Sequence, residues 1–123
     1  MKRLSGIFVL LGLVIVLLTA CGGPPASGPN PVHMNSVDFL QPSITIKKGE
    51  IVTLINDEGT VHYIANGTWD NGMQKAEIEP GAPKVDIQVG GNASSTLGPF
   101  NTAGTFKLYC TIHPNMKLTV TVK

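Results

Sequence analysis

The chain has 123 residues, a formal net charge of +1, 14% charged and 42% hydrophobic residues. That length supports one core and no more. Lys and Arg are neither numerous nor clustered on one segment, which excludes the basic face that nucleic-acid binding requires. The two cysteines exclude a multiply bridged framework.

The first element in chain order is a leader. Met1-Lys2-Arg3 is a short basic start, and Ile7 to Leu18 is apolar apart from Gly12. A basic start, a short apolar run and small residues before a cleavage point describe an export signal. The run is shorter than the ~20 residues a bilayer span needs. Leu18-Thr19-Ala20-Cys21 resembles the lipobox of bacterial lipoproteins, which implies cleavage after residue 20 and acylation of Cys21. The expected product is exported and lipid-anchored to a membrane, with its domain outside the cytoplasm. Without Lys2 and Arg3, seven basic and eight acidic side chains remain, a formal charge of −1.

Residues 21–31 follow as an acylated cysteine and a Gly/Pro-rich tether, loosened by Gly and Ser and kept extended by its prolines. The domain is expected over residues 32–123. Helical periodicity is absent, and period-two alternation is frequent. Met34–Leu40 is a short strand candidate. Ser43–Lys47 alternates, Lys48-Gly49 turns the chain, and Ile51–Ile55 reads as a more buried strand. His62–Ala65, Val85–Val89, Ser94–Leu97, Thr105–Cys110 and Lys117–Val122 complete the set, and residues 66–84 read as a long surface excursion. Seven or eight short strands punctuated by Gly, Pro and Asn predict an all-β Greek-key sandwich or barrel.

Cys110 is the residue that needs explaining. It is the only thiol besides Cys21, so it has no partner within the domain of an exported protein. Cys110-Thr111-Ile112-His113-Pro114-Asn115-Met116 places a thiolate, an imidazole and a thioether at i, i+3 and i+6, in a short loop between two predicted strands. Such a loop can turn three side chains to one point, whereas strand side chains alternate between faces. Pro114 stiffens it by fixing its own φ and biasing His113 towards extended geometry. Thiolate and thioether are soft and favour Cu(I), and two His, one Cys and a weak axial Met form the blue-copper set. Zinc would use the nitrogen and sulfur atoms but waste the thioether. The second histidine must come from elsewhere. His62 opens a predicted strand after the turn Asn56–Thr60, while His33 lies beside the tether. Met34 and Met73 read as packing or loop residues.

These features resemble the cupredoxins, the group of plastocyanin and amicyanin, over about residues 42 to 122. The resemblance is carried by Lys48-Gly49-Glu50 before a buried strand, by Asn56 six residues before His62, and by Gly104-Thr105-Phe106 leading to Tyr109-Cys110 and the Cys-His-Met loop. It implies one type 1 copper held by His62, Cys110, His113 and Met116. It also implies that Asn56 ties the His62 loop to the backbone near Thr111 and to the Cys110 sulfur. Phe100 and Phe106 are expected around the metal, and Tyr109 on the surface side of its strand. Leu118 stands where the family often has Gly. The implied function is one-electron transfer rather than catalysis, by a monomer whose redox donor and acceptor proteins dock near His113. A copper-trafficking lipoprotein is the alternative use of the same ligands.

Overall fold

A computed structural model describes residues 28–123. The expected acylation site at Cys21 and the signal segment lie outside the described residues. Nine strands follow one another: β1 (Pro31–Met34), β2 (Ser43–Ile46), β3 (Glu50–Asn56), β4 (His62–Asp70), β5 (Met73–Ala76), β6 (Asp86–Val89), β7 (Ser94–Phe100), β8 (Gly104–Cys110) and β9 (Lys117–Val122). One sheet runs β1-β3-β7. The other runs β2-β9-β8-β4-β5, with β6 also on β4. β1 lies parallel to β3 and β2 parallel to β9, while the remaining pairs are antiparallel.

Alternation decides which side chains enter the sandwich. Val32 and Met34 of β1, Val52 and Leu54 of β3, and Phe106 and Leu108 of β8 all point inward. Leu118, Val120 and Val122 do the same on β9. The core is a single cluster between the two sheets. The all-β sandwich is as expected, with more strand than the alternation alone revealed.

Three segments differ from expectation. Residues 34–40 form no strand beyond Met34. Asn35 accepts from the backbone N–H groups of Val37 and Asp38 through its side-chain oxygen and turns the chain. The Asx turn outcompetes strand propensity there. Residues 66–84 are not simply an excursion, because β4 continues to Asp70 and pairs with β5 in a hairpin. The fold also begins before residue 32. Thr53 donates its hydroxyl to the Pro29 carbonyl, and Asn30 donates through its side chain to Ile51 O and Glu50.

The Lys48-Gly49-Glu50 motif has a local cause. Gly49 takes φ 87°, a left-handed conformation that glycine adopts without strain. Its N–H reaches Phe100 O at 2.7 Å. The Glu50 carboxylate accepts from Lys47 N at 2.9 Å and from the Asn30 amide. The Lys47 N–H, above all, holds this carboxyl below the ordinary carboxylate range, against the opposing effect of desolvation. A depressed folded-state pKa contributes stability above the unfolded value, which is lost as pH falls through the folded one. Glu50→Gln is therefore expected to flatten the acid-side loss of thermal stability. Melting of the metal-free chain between about pH 6 and pH 3 checks this, and an unchanged slope would contradict it.

Candidate metal centre

Strand direction gathers the site at one end of the sandwich. β3 ends there at Asn56, β4 begins there at His62, and β8 ends there at Cys110. β9 restarts at Lys117, so residues 111–116 close a tight loop. Cys110 N–H donates to Met116 O at 3.1 Å, and Met116 N–H to His113 O at 3.2 Å. Asn115 sits at φ 65° after Pro114, the Pro-then-Asn order that type II turns favour. The short spacing of Cys110, His113 and Met116 thus follows from a hydrogen-bonded turn between two paired strands.

Ligand-capable atoms of His62, Cys110 and His113 all lie within 4.8 Å of one another. Cys110 Sγ is 3.6 Å from His62 Nδ1 and 3.3 Å from His113 Nδ1. Nitrogen and sulfur bonds to a first-row ion are about 2.0–2.3 Å, and two of them opened to about 100–120° span about 3.3–3.8 Å. The donor set therefore fits one shared ion. His62, Cys110 and Met116 are 0% exposed, whereas His113 is half-buried. Met116 and Cys110 belong to the same buried cluster. Cys110 is a free thiol. The soft sulfur atoms and the imidazoles favour copper among the available metals.

His62 is prepared for the role by its other nitrogen. Its Nε2 lies 2.9 Å from Asn35 O, so Nε2 carries the proton and Nδ1 presents a lone pair towards Cys110. Burial, first of all, pushes the His62 imidazole below its ordinary range. The Asn35 carbonyl opposes this, and nearby His113 adds to it. The neutral ring is the form that binds metal. Asn35 was not legible as a partner in the sequence, because its contribution is a backbone carbonyl 27 residues away along the chain. His33 does not join the site; it pairs with Asp57 at 2.8 Å.

Asn56 braces a different place from the one expected. Its amide donates to Thr60 O at 2.6 Å and Gly90 O at 3.0 Å, and its oxygen accepts from Glu58 N. It holds the turn leading into His62 and forms no hydrogen bond to Thr111 or Cys110. Thr111 is secured otherwise: its N–H donates to Tyr63 O at 2.8 Å, and its carbonyl accepts from Gln74 at 2.9 Å. Phe100 and Phe106 are core residues away from the metal end. Phe100 pairs with Glu50, six residues and roughly 20 Å along the strand from Asn56. Phe106 is four residues, roughly 13 Å, from Cys110. Tyr109 points away from the copper side of β8 but is only 3% exposed, because the β4–β5 hairpin covers it. Met34 is buried packing and Met73 is exposed.

The sequence matches the copper-binding proteins of the plastocyanin/azurin family over residues 27–123. It is 28% identical to plastocyanin from Ulva prolifera over 90 residues, covering 72% of this chain and 89% of that protein. It is 29% identical to amicyanin from Paracoccus versutus over 92 residues, covering 75% of this chain and 63% of that protein. The crystal structure of amicyanin from Paracoccus versutus superposes with a TM-score of 0.57 at 26% identity, covering 75% of this chain and 78% of that one. With the donor chemistry above, these similarities support one copper per chain. The chain belongs to the plastocyanin/azurin family of copper-binding proteins, the cupredoxins.

Proposed function

We propose that this protein is a blue-copper electron carrier in which His62, Cys110, His113 and Met116 hold the metal. The observation that carries the reading is the approach of both imidazole Nδ1 atoms to the Cys110 thiol, at 3.6 and 3.3 Å. Bound copper would supply the one-electron step between Cu(II) and Cu(I). The protein's part is to hold its donors still. His62 is fixed through Asn35 and Cys110 through the strand, and Met116 is sealed in the core. A donor set that cannot relax needs little rearrangement when the charge changes.

His113 is the half-buried member of the set, flanked by exposed Ile112 and Pro114. Redox proteins would dock there briefly over a small apolar surface. The chain joins the fold through Pro29 and Asn30, bonded near residues 50–53, whereas the ligands gather beyond the other end of β3. Lipid on Cys21 would then hold the domain by the end away from His113 and leave that face open to redox partners. Copper delivery fits less well, since three of the four donors are fully buried.

Voltammetry of the copper-loaded full-length chain tests the reading. A reversible one-electron wave is expected, and its absence would contradict an electron carrier. Met116→Leu is close to volume-conserving and should cost less than about 1.5 kcal/mol of stability. It removes a weak donor and leaves a more apolar wall, which disfavours the more highly charged Cu(II). Its potential is expected to rise. An unmoved potential would remove Met116 from the donor set.

A further inference from the structure

We propose that the β4–β5 hairpin is an outer clasp on the copper loop and that Trp69 is its positioning residue. The inference rests on the copper-centre reading above and concerns residues that reading does not use.

The register of the strands shows how unusual the hairpin's path is. Ile64, Ala65 and Asn66 of β4 lie opposite Cys110, Tyr109 and Leu108 of β8. A straight continuation would carry Trp69 to the level of Thr105, about five residues or roughly 16 Å from Cys110. Instead the Trp69 indole N–H donates to Cys110 O at 2.9 Å, in a buried hydrogen bond. The chain must therefore turn back over the outer face of β8. Gly67 allows it, with φ 132°. A Cβ at this position would collide with the Lys75 carbonyl and sit 2.9 Å from the Tyr109 ring.

The folded-back hairpin touches the ligand loop at successive residues. Gln74 on its second strand donates to Thr111 O at 2.9 Å. Trp69 packs edge-on against Tyr109, with centroids 6.0 Å apart and planes at 88°. Two consecutive carbonyls, those of Cys110 and Thr111, are thus held from outside by side chains of the hairpin. The Cys110 carbonyl fixes the backbone from which the thiolate projects. A buried carbonyl deprived of its donor costs more than the bond itself gains, so the loop would move to recover a partner. Trp69 bonds to the Cys110 backbone rather than to a metal donor atom, and acts through that backbone.

Two variants and three readouts test this on the full-length chain in detergent. Trp69→Phe keeps an aromatic ring but loses the N–H. Gln74→Leu alters an exposed residue and should leave the metal-free melting temperature nearly unchanged. In the metal-free chain, amide hydrogen exchange at residues 111–116 should accelerate in both variants relative to Val52–Leu54 in β3. In the copper-loaded chain, loss of copper to a strong chelator should quicken about tenfold for Trp69→Phe and about threefold for Gln74→Leu. The thiolate-to-copper absorption should change shape in Trp69→Phe. If Trp69→Phe does not fold, Gln74→Leu decides alone. A wild-type chain with the copper band, but with loop exchange and copper loss within twofold of wild type in every variant that folds, would overturn the clasp alone. A wild-type chain lacking the band would overturn the copper centre, and the clasp with it.

Discussion

Cys110→Ser is expected to abolish the intense thiolate-to-copper absorption and to weaken copper binding by well over the roughly 10–100-fold typical of losing an outer hydrogen-bond partner. The thiolate is the soft anionic donor of the set, and it lies between the two imidazole nitrogens. A serine hydroxyl at the same place is harder and remains neutral, so the site loses both its charge and its covalency. Cys110 is fully buried, and the hydroxyl would be poorly paired there, at a cost of about 1–3 kcal/mol. The metal-free variant should still melt cooperatively. A visible spectrum and a competitive copper titration check the first effect, and calorimetry of the metal-free chain checks the second. Retention of the band in the serine variant would mean that the sulfur is not a ligand.

Leu118→Ala should be among the most damaging single changes to the fold. Leu118 is 1% exposed and sits directly across from Leu108 in the β8–β9 pairing, two residues beyond Met116. Truncating a buried Leu removes its transfer energy and leaves a cavity, at about 2–5 kcal/mol. Domains have about 5–15 kcal/mol to lose. Denaturant unfolding of the metal-free variant measures the loss. A change below about 1 kcal/mol would mean that the outlet of the ligand loop collapses easily, as a glycine there would allow. The side chain that departs from the family's usual glycine therefore serves as core at the foot of the metal loop.

The parts of this fold legible in the sequence are those set by local pattern. Alternation announced β2, β6, β8 and β9, a short apolar run announced β3, and the Cys-His-Met spacing announced the loop because a short hydrogen-bonded turn is itself a local structure. What stayed hidden depends on distant partners. Asn35 serves His62 through a main-chain carbonyl, which any residue could offer. The hairpin over Tyr109 depends on the turn at Gly67, and Asn66, buried beside it, holds the Pro83–Val85 segment through both ends of its amide. Polar and glycine residues at positions 66, 67, 71 and 72 read as loop, although Asn66 and Gly67 lie within β4 and Asn71 and Gly72 close the hairpin. Asn56 illustrates the same limit: the family resemblance implied a bracing role, but its partners Thr60 and Gly90 are fixed by how two loops meet.

If four side chains from two distant stretches hold a single copper ion, as proposed, stepwise addition of Cu(II) to the full-length protein should raise an intense thiolate-to-copper absorption that grows linearly and stops at one equivalent. A solution that stays colourless past that point, or a band that keeps growing beyond it, would mean that these side chains do not form one copper site.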